Sequence, residues 1–206
     1  MLGTFLSKRK FLVNNLNNKY SSTNKYIVDS EKKLLEQAAK GDSDAFSKLF
    51  LTYKTLVYRV VYRLLRIQED VDDAVQQTFI EVYKSLPGYE GKSKFTTWLY
   101  RIAVNVSIQH LRKRRSDTIS DFDPEILPSE SNKDNLEHLE LHKQIETALD
   151  AIPIKKRVVV VLHDIEERTM EEIAAILNIP LGTVKSRLFH GRDEMRKKLQ
   201  KILESV

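Results

Sequence analysis

From Asp44 onward, apolar residues recur every three or four positions, which is the period of an amphipathic helix. Phe46, Leu49, Phe50, Tyr53, Leu56, Val57, Val60 and Leu64 form the first stripe, and Asp42, Ser43 and Asp44 offer oxygens to cap its start. Arg59, Arg63 and Arg66 fall off that stripe. A second helix is predicted to begin near Asp70, with Val71, Val75, Phe79, Val82 and Leu86 on its buried face. Pro and Gly then punctuate a loop from Pro87 to Lys94. A third helix follows, with Leu99, Ile102, Ala103 and Val106 as its core stripe, and it runs into the basic string Arg112-Lys113-Arg114-Arg115.

The pattern lapses between Ser116 and about Glu137. Asp117, Asp121, Asp123, Glu125, Glu130 and Asp134 stand there against Lys133, and Pro124 and Pro128 break periodicity, so an acidic flexible linker is predicted. Helices resume with Leu141, Ile145, Ala148, Leu149 and Ile152, and Pro153 ends that stripe. Next comes IKKRVVVVLHDIEE, which is ambiguous. Four valines favour a strand, while Val158, Leu162 and Ile165 favour a helix. A lone strand would have no partner, so a helix is expected.

The last segment, Thr169 to Leu199, predicts two helices with a sharp turn. Thr169 and Glu172 make a capping box, and Ile173, Ala174 and Leu177 give an apolar face. Asn178-Ile179-Pro180 stops the helix, and Pro180 suits the first turn of the next. On that next helix Val184, Leu188 and Met195 share one side, against Lys185, Arg187, Arg192, Arg196, Lys197 and Lys198. This is the layout of a helix-turn-helix DNA reader. At about 100° per residue, Ser186 points away from the buried side, with Phe189 and His190 beside it and Lys185 toward one flank. These four are expected at the major-groove edge, with Arg187 and Arg192 on opposite flanks near phosphates. The alternative puts Phe189 in the core and rotates the helix by a third of a turn.

Composition narrows the classes. The chain of 206 residues has 41% apolar and 31% charged residues, a globular balance, and a formal net charge of +5 that favours a polyanionic partner. It has no cysteine, which excludes disulfides and thiolate metal sites. No apolar run approaches a membrane span, and the N-terminus lacks the continuous apolar stretch of a signal peptide, so a cytoplasmic protein is expected. Residues 1–29 are rich in Asn, Lys and Ser and read as a disordered or weakly helical extension.

Two further surfaces carry candidate chemistry. Asp73, Gln76, Gln77 and Ile80 lie opposite the second core stripe. An isoleucine among hydrogen-bonding side chains is how a contact patch for a partner looks, although a lone surface isoleucine is also ordinary. Tyr89, Phe95, Trp98 and Tyr100 cluster beside Arg101, Asn105, Arg112 and the basic string. Rings next to cations suit single-stranded nucleic acid, since bases stack while phosphates meet Lys and Arg. For Phe95 and Trp98 the plainer reading is closure of the helical core. His138 and His142 are one turn apart but lack a third ligand, so neither a metal nor a cofactor is expected. No phosphate loop, nucleophile elbow or paired buried carboxylates appear, so an enzyme is the least favoured class.

The strings DVDDAVQQTFIEVYKSL, FTTWLYRIAVN and IAAILNIPLGTVKSRL, in that order, resemble the extracytoplasmic-function (group 4) sigma factors of the sigma-70 family. The resemblance covers roughly Asp44 to Arg115 and Leu139 to Leu199. It implies an all-α fold of two small helical domains, a sigma-2-like domain (30–115) and a sigma-4-like helix-turn-helix domain (138–206), joined by the acidic linker (116–137). It implies docking of core RNA polymerase on Asp73, Gln76, Gln77 and Ile80. The family usually has Glu at the place of Gln77, which weakens one contact. Melted minus-ten DNA would meet Lys92, Lys94, Phe95, Trp98, Arg101, Asn105 and Arg112, with the loop from Pro87 capturing an unstacked base. Minus-thirty-five duplex would meet Thr183, Lys185, Ser186, Arg187, Phe189, His190 and Arg192. Core polymerase, promoter DNA and an anti-sigma factor are the implied partners. The alternatives are a conventional helix-turn-helix regulator with an N-terminal sensing domain, and an adaptor using the Asp73–Ile80 face. A sensor has no need of the aromatic-basic segment, and an adaptor has no need of a basic recognition helix.

Overall fold

The computed structural model describes residues 30–117 and 144–204, with side chains described to residue 114 in the first stretch. The N-terminal extension, most of the acidic linker, and Leu141, His138 and His142 lie outside the described residues. Every regular element among the described residues is helical. They are α1 (30–39), α2 (Ser43–Leu65), α3 (Gln68–Ser85), a 3₁₀ turn (Leu86–Gly88), α4 (Phe95–Asp117), α5 (144–150), α6 (Ile154–Val160), α7 (Met170–Leu177) and α8 (Leu181–Leu203). The four valines are helical, and α6 runs on as a π-helical segment, Val161–Ile165. No helix among the described residues is long and apolar enough to cross a membrane.

The described residues divide into two compact units, one from residues 30–52 with 86–88, the other from residues 53–85, 89–117 and 144–204. In the first, a tight turn at Gly41 (φ 90°) separates α1 from α2. Asp42 Oδ1 accepts the backbone N–H of Asp44 at 2.9 Å and of Ala45 at 3.0 Å, which is the cap the sequence offered. Ala38, Ala45, Leu49 and Leu86 are buried.

In the second unit, α3 packs along α4, α6 against α8, and α7 against both α4 and α8. One hydrophobic cluster takes Val60 and Leu64 from α2, Tyr100 and Val104 from α4, Leu149 from α5, Val158 to Leu162 from the valine run, and Ile173, Ile176, Val184 and Leu188 from the helix-turn-helix. Both sequence-predicted helical domains therefore contribute to one core. Gly191 of α8 sits tight against α6: a Cβ there would meet Val160 Cγ2 at 2.8 Å and Lys156 Cβ at 3.4 Å.

Ion pairs fasten the end of α2. Arg66 ends that helix with φ 72° and reaches Glu146 at 2.6 Å and Asp150 at 3.3 Å. Arg157 donates to the Leu64 carbonyl at 3.2 Å and to Asp150 Oδ1 at 2.9 Å. Burial pushes the Asp150 carboxyl up in spite of the two guanidinium groups.

Candidate nucleic-acid interface

The turn between α7 and α8 is built from local chemistry. Thr169 Oγ1 accepts the Glu172 N–H at 3.1 Å, and Glu172 Oε2 accepts the Thr169 N–H at 3.0 Å. Such a cap stabilises a helix by about 1 kcal/mol. Asn178 closes α7 in the left-handed region (φ 51°, ψ 51°), where Asn is tolerated better than most residues. Pro180 starts α8, and its carbonyl accepts the N–H of Thr183 at 2.9 Å and of Val184 at 3.2 Å.

Val184, Leu188 and Gly191 are the buried side of α8, with Met195 half-buried. Lys185, Ser186, His190 and Arg192 are exposed, and Thr183 and Arg187 are half-buried. Phe189 is 70% exposed and meets the His190 ring edge-on at 5.3 Å between centroids. Phe189 is thus not a core residue. Burying a Phe is worth roughly 1.5–3 kcal/mol, a gain that α8 forgoes at this position.

Arg192 is held more closely than sequence reasoning foresaw. Its Nε donates to Asp164 Oδ2 at 3.0 Å, its Nη2 donates to Asp164 Oδ1, and His163 Nδ1 lies 3.2 Å from Nη2. Burial alone would raise the Asp164 carboxyl, but the hydrogen bonds with Arg192 and His163 outweigh it and hold it below its ordinary value.

On α4 the aromatic residues do not act alike. Tyr53, Tyr89, Phe95 and Trp98 form a ring cluster with centroids 5.1–5.7 Å apart. Phe95 is 5% exposed and is a floor for that cluster, not an open stacking face. Trp98 and Tyr89 are half-buried, and Tyr89 donates to the Ser93 carbonyl at 2.6 Å, closing the loop around Gly91 (φ 70°). Tyr100, read from sequence as part of the ring surface, is buried on the opposite side of α4. A tyrosine two positions from Trp98 points elsewhere on a helix. Lys92 pairs with Glu90, and Lys94 lies 3.8 Å from Glu172. Arg101 donates from Nε to the Ile176 carbonyl at 3.3 Å and from Nη2 to the Ala175 carbonyl at 2.5 Å. Asn105 and Arg112 are exposed on the same helix.

The α3 face is open. Asp73 and Gln76 are exposed, and Ile80 is 39% exposed. Gln77 is half-buried and donates to Glu81 Oε1 at 2.8 Å. Tyr83, 51% exposed, extends this face and was missed in the sequence. The signal was present, because Gln76, Ile80 and Tyr83 stand at the i, i+4, i+7 spacing of one helix face.

A second omission had no sequence signal. The Glu166 side chain is fully buried. Its Oε1 accepts Arg59 Nε at 2.6 Å, and its Oε2 accepts Arg59 Nη2 at 2.5 Å and the Tyr100 hydroxyl at 2.9 Å. The hydrogen bond to Glu166 raises the Arg59 pKa further. Burial, with the Glu166 carboxylate beside it, pushes the Tyr100 hydroxyl up to about 12. Among the described residues no group of carboxylates and imidazoles is placed to hold a metal ion.

Known proteins share both halves. Residues 49–117 match the family Sigma-70 region 2, and residues 142–195 match Sigma-70, region 4. The chain is 37% identical over 182 residues to the ECF RNA polymerase sigma factor SigW of Bacillus subtilis (strain 168), spanning 82% of this chain and 96% of that protein. It is 35% identical over 181 residues to the ECF RNA polymerase sigma-E factor of Escherichia coli (strain K12), spanning 82% and 94%. In fold it is similar to CnrH, solved in complex with the cytosolic domain of CnrY (TM-score 0.60, 24% identity, 85% of this chain and 97% of that one). It is also similar in fold to the sigma factor RpoE of Bartonella quintana, solved with the anti-sigma factor NepR (TM-score 0.61, 22% identity, 75% and 96%).

Proposed function

The chain belongs to the extracytoplasmic-function sigma factors of the sigma-70 family, and from that premise we propose how its surfaces divide the work of starting transcription. It is an RNA polymerase sigma factor, which binds core polymerase and promoter DNA and directs promoter recognition, melting and initiation. The observation that carries this is the presence of region 2 and region 4 in order on one chain. A conventional regulator would need only the second.

Residues 30–115 act as the sigma-2-like domain. Asp73, Gln76, Gln77 and Ile80 dock on the polymerase, with Tyr83 widening the contact. Lys92, Lys94, Trp98, Arg101, Asn105 and Arg112 take the melted minus-ten strand, and Phe95 supports the ring cluster from below. Extruding a base costs a few kcal/mol, which stacking on the rings and phosphate contacts offset. Residues 138–206 act as the sigma-4-like domain. Lys185, Ser186, Phe189 and His190 read the minus-thirty-five duplex, with Thr183, Arg187 and Arg192 toward the backbone. Lys185 can donate to guanine acceptors, and Phe189 can pack on a thymine methyl. Each domain binds weakly alone, and joining them on one enzyme raises effective concentration. The chain performs no catalysis itself, works in the cytoplasm with the polymerase, and takes an anti-sigma factor as a partner. The solved complex of the Bartonella quintana RpoE with the anti-sigma factor NepR supports that last point.

The test is transcription by core polymerase on a library of genomic fragments, with start sites sequenced. Addition of the chain should produce starts that share two upstream elements. Absence of starts, together with tight duplex binding by the chain without polymerase, would favour the regulator instead.

A further inference from the structure

Arg192 stands on the reading helix, but one edge of its guanidinium is already taken. Its Nε donates to Asp164 Oδ2 at 3.0 Å and its Nη2 donates to Asp164 Oδ1, while Nη1 has no partner among the described residues. The π-helical segment supplies a third group. His163 brings its Nδ1 to 2.8 Å from Asp164 Oδ1 and to 3.2 Å from Arg192 Nη2. A guanidinium, a carboxylate and an imidazole therefore meet around one oxygen. All three side chains reach solvent, Arg192 at 53%, Asp164 at 29% and His163 at 28%. Arg192 also lines a shallow groove along α8 together with Lys185 and Phe189, so a released guanidinium lies beside the duplex-reading residues.

The proton on the ring decides what this cluster does. A neutral imidazole with its proton on Nε2 accepts the Arg192 Nη2–H at Nδ1, which adds to the hold of the carboxylate. A protonated imidazole has no acceptor left, because both of its nitrogens are donors. It donates Nδ1–H to Asp164 Oδ1 and sets a second cation 3.2 Å from the guanidinium. One carboxylate then serves two positive charges, and the cluster as a whole turns from neutral to positive. Histidine is the side chain whose charge changes between pH 5 and 8. Other charges on the elements packed here are engaged elsewhere: Lys156 of α6 with Glu194, Asp193 of α8 with Arg196 and Lys197, Glu172 of α7 with Thr169, and Glu166 with Arg59. Glu167 and Glu171 are exposed.

We propose that His163 is a proton-dependent gate on Arg192: with a neutral ring, His163 and Asp164 hold the guanidinium back from the minus-thirty-five duplex, and with a protonated ring they release it to a phosphate. Carboxylate and phosphate compete for the same guanidinium, so whatever weakens the first contact strengthens the second. The effect on the duplex rests on the reading of Arg192 as a phosphate contact. The gate itself does not. Its sign is fixed: duplex affinity rises as pH falls, and the salt dependence steepens with it.

Two measurements test it on the full-length chain, for the parent and for His163→Gln, which keeps a hydrogen-bonding side chain without a titrating ring. Both proteins are first checked for equal helicity. In the free chain, solvent exchange of the Arg192 Nε–H is followed by NMR at about pH 8 and about pH 6, relative to an exposed arginine of the same chain. The parent should lose protection at the lower pH, and His163→Gln should keep it at both. With core polymerase added, binding to a promoter duplex is then titrated with salt at the same two pH values. The parent should gain roughly threefold to tenfold over His163→Gln on acidification, the worth of one hydrogen bond, with a salt slope steeper by up to ~1. Taking the difference between the two proteins cancels every other titrating group, His190 and His110 included. In an Arg192→Ala background the difference should vanish. If it persists there, His163 meets the DNA itself and the gate is wrong. Equal protection of Arg192 in the parent at both pH values also overturns the gate. If protection is lost while duplex binding does not move, the gate is supported and the reading of Arg192 as a phosphate contact falls.

Discussion

Lys185 and Arg192 sit on the same exposed surface of α8, but the structure gives them different company. Lys185 is expected to touch a base edge, so Lys185→Ala should cost ~1–3 kcal/mol on the preferred site and relax preference at one or two base pairs. Site selection with the variant checks this, and an unchanged preferred sequence would contradict it. Arg192 is already paired with Asp164. Its removal should weaken all sequences alike, by less than the full ~1 in salt slope that a free phosphate ligand commands. Asp164→Asn should instead free Arg192 and steepen the salt dependence of duplex binding by up to ~1. The same variant has a pH signature. The Asp164 pKa is lowered in the folded chain, so its contribution to stability is present above the unfolded value of 3.8 and is lost as pH falls through the folded one. The gap in melting temperature between parent and Asp164→Asn should therefore be widest above about pH 4 and close on further acidification. The pairing was not legible in the sequence because residues 28 apart meet only once α6 and α8 pack. The Thr169–Glu172 box was legible because its partners are three residues apart and need no tertiary structure.

The helices were legible as elements because their stripes are long. Even the valine run gave way to its flanks: Leu162 and Ile165 fix a helical period that four β-formers do not overturn. The rotational setting of α4 was harder to read. Its rings were grouped by nearness in sequence, whereas Phe95 and Trp98 share one cluster and Tyr100 is buried elsewhere against Glu166. On α3, Ile80→Glu places a charge in a contact that polymerase would desolvate. Core affinity should fall while the melting temperature of the free chain stays unchanged, since Ile80 lies off the core stripe. Full core affinity in a folded variant would remove the docking assignment. On α8, Gly191→Ala meets the stiff, buried Val160 at 2.8 Å. The strain of overpacking, 1–3 kcal/mol, should exceed the ~1 kcal/mol of helix propensity gained, for a net loss of about 1 kcal/mol. Chemical denaturation measures it, and a stabilised variant would show that α6 and α8 can part without cost.

At the scale of the whole molecule, the order of motifs was enough to expect two helical domains, one for strands being separated and one for duplex. It did not disclose that both feed one hydrophobic cluster, or that Glu166 joins them across 66 and 107 residues of chain. Long-range pairing of that kind has no period and no spacing to detect. The division of labour is the central claim, and it predicts a difference between templates. The measurement is open-complex formation by the polymerase holoenzyme on a duplex promoter and on the same promoter with its minus-ten region already unpaired. A Lys92→Ala, Lys94→Ala loop variant should be impaired on the duplex and largely restored on the unpaired template, where the unstacking cost has been met in advance. Lys185→Ala should be impaired equally on both. An equal defect of the loop variant on the two templates would contradict the account.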